Sequence, residues 1–436
     1  MLLCLAAPAL AAPETHYQDA VVGERAAGMG GAFTSLADEA TGAYYNPAGI
    51  ARPGSNLLQL SMSAYKLTRR SIPLVDLCGR SIDEASSGFF GFPAALGYVR
   101  PFNAGGLRHA VGFTLVVPSS EKQQSSRILR QVDCNGTPVT YAESQVLLDR
   151  LFEGGLSYAL KWRRLSVGAT FGLAARAVLG TSLLLAINGQ SYPGVTMVNI
   201  DVTVWSLFFR VGAIIEPIDG LRFGLSLTTP HIQVTGKGRF DVAYAGSDPA
   251  AWQQTQLYAV DDVEYNARTP LALAIGASYR RGRLTLAADV KLHMPVSSYR
   301  LISRDVRLGE LVDALGEIER RFVANVSVGA EYLAFGRLAL RLGFFTNLSA
   351  QPAPDPQSAF DDERMQFVGF TAGGSWLSKR GSSLGLSAQL QIGTGEVSTE
   401  RVTSPGGGQG LQSTYELRDA SSLSLIIAFG GGFDLQ

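Results

Sequence analysis

In this 436-residue sequence, the histidine, cysteine and carboxylate residues are the candidates for metal binding and catalysis. Their spacing argues against both roles. None of the four histidines has a Cys, His or carboxylate at metal-ligand spacing; they are His16, His109, His231 and His293. A GxSxG elbow, an HExxH helix and a paired-carboxylate arrangement are also missing. Asp289, Lys291 and His293 share one face of a strand pattern and could form a polar relay or a solvated wall. We therefore predict no enzyme, no metal and no cofactor.

Composition narrows the class further. The chain is 46% hydrophobic with 49 Gly, and its 37 basic and 37 acidic residues cancel, so we expect no nucleic-acid partner. The mean hydropathy is slightly positive, at +0.12. Apolar runs nevertheless fall short of the roughly 18 residues that a membrane helix needs. A transmembrane β-barrel combines these properties, because only alternate residues of its strands face lipid.

Strict alternation of apolar and polar residues is the main structural signal. In 283–294, Leu284, Leu286, Val290 and Leu292 fall on one parity, while Thr285, Asp289 and Lys291 fall on the other. Fourteen such segments are predicted, at about 55–66, 88–100, 106–118, 146–162, 164–179, 197–215, 220–235, 262–280, 282–298, 321–334, 336–348, 364–378, 382–395 and 416–431. An even number suits an outer-membrane barrel with both termini on one side.

The gaps between segments alternate between short and long. The short gaps are rich in Gly, Pro and basic residues, as tight turns are. The long gaps are about 67–87, 119–145, 180–196, 236–261, 299–320, 349–363 and 396–415. Transmembrane barrels have short periplasmic turns and longer outer loops, so this asymmetry favours an all-β, fourteen-stranded antiparallel barrel.

Two further features of the strands bear on this fold. Aromatic residues on the outward parity beside the short turns suit an interfacial girdle, although ordinary core aromatics are the alternative; they are Tyr98, Trp162, Tyr279, Tyr332 and Trp376. The alternation changes phase around Val204–Leu207 and around Thr229-Pro230-His231, which predicts bulges there.

The first part of the chain does not follow the strand pattern. Residues 1–12 resemble a signal peptide, with a buried strand as the alternative. Residues 13–53 are predicted to form a hatch, or plug, inside a barrel built by residues 54–436. Inward positions near the short turns are mostly Gly, Ser and Thr, so the bore needs filling.

The proposed hatch has its own local signals. Gly28, Gly30 and Gly31 allow close backbone approach or positive φ. We predict a short helix over Thr34–Ala40. Phe33 and other apolar residues argue against the alternative, a flexible linker. A phosphate-binding glycine loop would need a βαβ unit, which is missing.

These residues resemble a known family. The matching segments are GERAAGMGGAF at 23–33, ADEA at 37–40, YNPAG at 45–49, FGLSLTTP at 223–230, Thr269-Pro270 and AIGASY at 274–279. They are similar to the N-terminal hatch and middle strands of the FadL/TodX outer-membrane transport family. Asn46, Pro47 and Ala48 match the family's hatch tripeptide.

The resemblance implies uptake of hydrophobic molecules, such as long-chain fatty acids, by a multi-pass protein of the bacterial outer membrane. It implies capture at the outer loops, hatch movement and lateral release beside a kinked third strand, where Gly112 stands here. Related barrels with the same hatch serve protein secretion, so a shuttle or scaffold with a protein partner at the outer loops is the alternative. The other expected partners are membrane lipid and a hydrophobic small molecule.

The outer loops carry two more predictions. Asp305–Arg321 reads as an amphipathic helix that could capture an apolar ligand or pack on the rim; its apolar side consists of Leu308, Leu311, Val312 and Leu315. Cys78 and Cys134 fall in the first two outer loops and could form a disulfide, or remain two free thiols.

Overall fold

A computed structural model describes residues 15–17, 21–84, 92–188, 194–245, 256–303, 305, 307, 317–354, 363–379, 381–403 and 412–435. The predicted signal peptide at 1–12 lies outside these residues. So do Leu308, Leu311, Val312 and Leu315 of the predicted capture helix.

The described chain is dominated by antiparallel strands. They are β1 (Asn56–Leu77), β2 (Arg80–Glu84), β3 (Phe92–Ala104), β4 (Leu107–Cys134), β5 (Thr137–Trp162), β6 (Leu165–Asn188), β7 (Gly194–Ile218), β8 (Leu221–Thr228), β9 (Ile232–Ala245), β10 (Gln256–Glu264), β11 (Ala272–Arg281), β12 (Leu284–His293), β13 (Val296–Tyr299), β14 (Ile318–Arg320), β15 (Val323–Ala334), β16 (Leu338–Asn347), β17 (Glu363–Leu377), β18 (Ser383–Thr403) and β19 (Gln412–Leu435).

Seventeen of these strands form one sheet, and β1 pairs with β19, so the sheet closes into a barrel. β2 with β3, β8 with β9, and β10 with β11 each make one crossing of the wall. The barrel therefore has the fourteen crossings that the alternation predicts. Closure pairs the backbone groups that an open edge would leave unsatisfied in lipid, at several kcal/mol each.

Alternate residues of each strand face the lumen and the outside of the barrel. On β12, Thr285 and Asp289 are buried in the lumen, whereas Leu286 and Val290 are exposed on the outside. Trp162, Tyr279, Tyr332 and Trp376 are exposed on the outer face beside the short turns, as the girdle prediction requires. The register shift between Trp205 and Ser206 confirms the first predicted phase change, and the gap between β8 and β9 marks the second.

The other end of the barrel differs from the prediction. Residues 119–145 are not a loop: β4 and β5 continue through them and meet at a tight turn, Asn135-Gly136, with φ of 55° and 83°. Positive φ at both positions is the geometry of the type I′ turn that matches strand twist. β1, β6, β7, β18 and β19 also extend into their predicted loops, so long hairpins rise at this end.

An apolar cluster fills part of the bore at the long-hairpin end. It joins inward residues of β5–β7, β9 and β10 to a stretch that folds inside the barrel, including Tyr265, Tyr299, Leu301 and Ile302. Tyr265 bridges Ile302. Tyr265 and Ala267 therefore belong to this inner cluster.

Candidate functional site in the lumen

The N-terminal segment, here Val21–Arg52, lies inside the barrel at the short-turn end. It forms one short helix, Glu24–Gly28, and two 3₁₀ turns, Ala40–Tyr44 and Pro47–Ala51. Met29, Phe33 and Ile50 are fully buried. The described part of this segment therefore packs inside the lumen, and the assignment of residues 13–53 as a hatch stays a prediction.

The helix predicted at Thr34–Ala40 is wrong. Residues 34–36 form a turn, and Ala37 has a positive φ of 40°. The left-handed backbone at Ala37 is incompatible with a continuous helix. Asp289 of β12 binds the start of this turn: its Oδ2 accepts hydrogen bonds from the backbone N–H groups of Phe33 and Thr34, each at 2.7 Å. Asp289 thus anchors the segment, and together with Lys291 and His293 it also lines the lumen cavity.

The small inward residues of the wall allow the segment to approach closely. A β-carbon on Gly212 would lie 2.0 Å from Asn46 Oδ1, and one on Gly343 would lie 2.3 Å from the backbone nitrogen of Gly30. The same holds on other strands, where a β-carbon would meet the segment's backbone within 3 Å at Gly97, Gly168, Gly224 and Gly329. The inward-facing glycines of the wall thus form the surface against which the segment packs.

Asn46 is the polar centre of this packing. Its Nδ2 donates to the carbonyl groups of Thr34, Ala213 and Leu225 at 2.9, 3.1 and 3.2 Å, and its Oδ1 accepts from the N–H of Ala48. Asn46 therefore caps the last 3₁₀ turn, with Pro47 in the first position, where a missing N–H costs nothing. It also joins the segment to β7 and β8.

The three predicted glycines have the geometry expected of them. Gly30 and Gly31 have positive φ, at 64° and 82°. Gly28 lies against Arg341 and Gly373, and its carbonyl accepts from the hydroxyl of Thr371. These glycines let the segment turn directly against the wall.

The sequence analysis does not predict the ion-pair network at the short-turn end. Arg25 binds Glu331 through two hydrogen bonds of 2.8 and 2.9 Å and also pairs with Asp38 at 2.8 Å. Arg341 pairs with both Glu331 and Glu24, at 2.7 Å each. The sequence signal for it is Glu331 and Arg341, two charged residues at inward positions where most other inward residues are small.

Burial and charge set the protonation of the segment's carboxyl groups. Burial raises the pKa of Glu24 to about 7; Glu39 adds to this, whereas Arg341 and the hydroxyl of Ser375 oppose it. Burial would also raise the pKa of Asp38, but Arg25 and Arg222 hold that pKa below its ordinary value. The charge of Glu24 thus changes near neutral pH.

A cavity of about 100 Å³ lies directly above the segment. Its lining is mixed: Tyr44, Tyr45 and Leu151 contribute rings and an alkyl group, whereas Glu153 and Arg210 form an ion pair of 3.0 Å beside them. Tyr45 donates to the carbonyl of Val22 at 2.7 Å, so ring and segment are linked. A ligand in this cavity would touch both the wall and the segment.

The remaining predicted residues lie elsewhere. Gly112 of β4 faces Ile50, and its neighbours pair regularly with β3 and β5, so the ladder is unbroken there. An opening at Gly112 stays a prediction. Cys78 and Cys134 form a disulfide with a Cα–Cα distance of 5.4 Å, which ties the β1–β2 hairpin to the β4–β5 hairpin.

Two classes of feature are missing from the described part of the chain. Its His, Cys, Asp and Glu residues form no group of three or more that could hold a metal ion. Within the same residues, no helix has the length and apolarity needed to cross a membrane.

Comparison with known proteins supports the fold. No family model and no curated protein matches the sequence. Solved structures match almost its whole length: a Pseudomonas aeruginosa FadL homologue (14% identity, 97% of this chain and 100% of that one, TM-score 0.64), the CymD monoaromatic hydrocarbon channel (14%, 96% and 99%, 0.61) and the Pseudomonas putida toluene transporter TodX (15%, 95% and 98%, 0.60). The predicted resemblance to FadL and TodX is thus confirmed at the level of the fold.

Proposed function

We propose that this barrel is an outer-membrane channel for the uptake of hydrophobic small molecules. The observation that carries the proposal is a closed barrel whose bore is occupied by its own N-terminal segment, with a cavity directly above that segment. The outward apolar parity would face lipid, and the girdle aromatics would mark the periplasmic interface. Two of the structures named above are a monoaromatic hydrocarbon channel, CymD, and a toluene transporter, TodX, which supports the same class of function.

The cavity favours a compact ligand over an extended acyl chain. A cavity of about 150 Å³ can hold benzene, and this one is about 100 Å³. Even a single aromatic ring therefore needs the lining to move apart, and a long-chain fatty acid would need much more space. Transfer out of water would supply the driving force, at roughly 0.8 kcal/mol per buried methylene equivalent.

Ligand binding would act on the segment through shared residues. Gly31, Thr34, Tyr44 and Tyr45 of the segment all line the cavity. A ligand that displaced Tyr45 would disturb its hydrogen bond to Val22 and the packing of Phe33, whose ring centre lies 5.4 Å away. Hatch movement would follow from this competition.

The experiment is uptake of radiolabelled toluene by cells that lack their own hydrophobic channels, with and without this protein. We expect faster uptake with the protein, and no change for a polar solute of similar size. Mass spectrometry of protein purified without added lipid would show whether an apolar molecule remains bound. Equal toluene uptake with and without the protein would contradict the proposal.

The alternative function is a scaffold or secretion partner. Two observations favour it: the charged lining of the lumen cavity, and the tall hairpins of β4–β7, which offer a surface for another protein. Copurification of a stoichiometric protein partner, without toluene uptake, would support this alternative.

A further inference from the structure

The short turns of the barrel concentrate positive charge. Seven exposed basic residues lie in these turns or directly beside them, and we call this set the basic ring: Arg100, Arg163, Arg164, Arg281, Arg283, Arg337 and Lys379. In the described part of the same turns, Asp219 is the exposed acidic residue. The whole chain has no net charge. Seven cations against one anion therefore place a local excess of six positive charges at this end.

The basic ring lies directly beyond the girdle aromatics. Arg281 follows Tyr279 by two residues on the outward parity of β11 and pairs across the turn with the outward Leu284. Arg163 follows Trp162, and its guanidinium carbon lies 5.4 Å from the centre of that ring. Two residues of a strand span about 5 Å of height at a rise of about 3.4 Å and a tilt of about 40°. The head-group layer on each side of a bilayer is about 5–8 Å thick, so the basic ring lies at the depth of lipid phosphates.

The charges of the basic ring are available to a ligand. Arg164 pairs with Asp219 at 3.3 Å, but both side chains are strongly exposed, and a surface pair of this kind contributes little. The other six residues of the ring form no ion pair with a carboxylate of the described chain. Arg280 differs from them, because it lies on the inward parity and its Nε donates to the hydroxyl of Thr285 at 3.2 Å.

Apolar side chains reach the same depth as the basic ring. Phe335, in the turn between β15 and β16, is 90% exposed. Phe102 and Ile218, beside two other short turns, are also exposed. An exposed phenyl ring is unfavourable in water but gains free energy where it enters the boundary between head groups and acyl chains. Cations beside such apolar groups match a lipid molecule, whose phosphate lies next to its acyl chains.

The basic ring runs around the cylinder and does not form a single patch. Its members come from five of the six short turns, which join β3 to β4, β5 to β6, β11 to β12, β15 to β16 and β17 to β18. The sixth turn, between β7 and β8, carries Asp219. A protein partner covers one patch of about 800 Å², whereas a lipid leaflet contacts the whole circumference. The distribution therefore favours lipid over protein as the occupant.

We propose that the basic ring is a binding surface for anionic phospholipid in the periplasmic leaflet of the membrane. Phosphate oxygens of the lipid accept hydrogen bonds from the arginines, whose planar fork matches phosphate geometry. Phosphatidylglycerol is preferred over phosphatidylethanolamine, because the amine of the latter offsets the charge of its phosphate. The proposal rests on the membrane location within the proposed function and does not depend on the transported ligand.

The first test is native mass spectrometry of the wild-type protein in detergent micelles that contain equal amounts of phosphatidylglycerol and phosphatidylethanolamine. We expect phosphatidylglycerol to be enriched about fivefold among the bound lipids, the ratio for one lipid charge beside one surface cation. At about 0.5 M salt the enrichment should fall towards one, because exposed charges are then screened. Equal binding of the two lipids at low salt would overturn the proposal.

The second test removes charge from the basic ring. The ring variant carries Arg100→Gln, Arg281→Gln, Arg283→Gln and Arg337→Gln, and its phosphatidylglycerol enrichment should fall below about twofold, because polar side chains remain but four charges are lost. The matched control removes four exposed arginines at the long-hairpin end, with Arg69→Gln, Arg239→Gln, Arg307→Gln and Arg401→Gln. It should keep the enrichment of the wild type. Heat-modifiability on gels verifies that both variants are folded, and equal enrichment in the two would overturn the proposal.

Toluene uptake separates this proposal from the channel function. The ring variant should take up toluene within about twofold of the wild-type rate, because its substitutions lie outside the bore. Lipid enrichment without uptake by the wild type would refute the channel function and leave the basic ring standing. Uptake without enrichment would refute the role of the ring and leave the channel function standing.

A protein partner would give a different result. A stoichiometric acidic protein that copurifies with the wild type and not with the ring variant, in the absence of lipid enrichment, would assign this surface to that protein and overturn the lipid proposal.

Discussion

Asn46 of the N-terminal segment and Gly212 of β7 share one space, since a β-carbon on Gly212 would lie 2.0 Å from Asn46 Oδ1. The position of the Asn46 side chain therefore requires that residue 212 have no β-carbon. Four hydrogen bonds at Asn46 place the segment, and the bare backbone at Gly212 makes that placement feasible.

Gly212→Ala should displace Asn46 and destabilise the protein by about 1–3 kcal/mol, the usual cost of overpacking. Hydrogen exchange in Val21–Arg52 should accelerate, and the urea midpoint should fall. Gly154→Ala is the control, because its β-carbon would have no neighbour closer than 3.6 Å. Similar midpoints for the two variants would contradict the shared-space relationship.

Arg25→Ala should loosen the segment at the short-turn end. It would remove one of two arginine partners from both Glu331 and Asp38, which keep Arg341 and Arg222, so we expect a loss below the roughly 3–5 kcal/mol of a fully unpaired buried charge. Limited proteolysis of folded protein should then cleave within Val21–Arg52. Arg239→Ala removes a surface pair with Asp241 and serves as the control; if both variants resist protease equally, the network does not hold the segment.

Glu24 should make the anchoring of the segment depend on pH. Its pKa is raised to about 7 by burial, so the stability contributed by its neutral form is fully present below about 4.5 and is lost as pH rises through about 7. Hydrogen exchange of residues 21–52 should therefore be faster at about pH 9 than at about pH 5, after correction for intrinsic rates. Glu24→Gln should remove that difference; an unchanged pH profile in this variant would assign the effect to another group.

Removal of the Cys78–Cys134 disulfide should loosen the long hairpins while the barrel stays folded. The bridge spans 56 residues of sequence, for which chain-entropy arguments give about 4 kcal/mol as an upper value. A Cys78→Ser, Cys134→Ser double variant should show faster protease cleavage near Asn135-Gly136 and a retained heat-stable barrel on gels. Wild-type protein treated with reductant should behave in the same way.

The wall could be predicted from the sequence because alternation is a local signal. Leu284, Leu286 and Val290 reveal their side of the sheet without knowledge of any partner strand. The extension of β4 and β5 through 119–145 could not be predicted in this way, because outside the apolar band both faces of a strand meet water and the alternation fades. The tight turn at Asn135-Gly136 was nevertheless a readable hairpin signal.

The candidate site depended more on contacts between distant residues. The prediction at Thr34–Ala40 failed because Ala37 takes a positive φ of 40° where the segment packs against the wall, which residue type alone does not signal. Charges such as Glu331 gain their meaning only from Arg25, which lies opposite them in the folded chain.

The seam between β1 and β19 has a consequence for biogenesis. The first and last strands can join only when the whole chain is present, and a β-carbon on Gly430 of β19 would lie 2.9 Å from Glu24. The N-terminal segment therefore contacts the strand that closes the barrel, so its docking and the joining of the first and last strands share one interface.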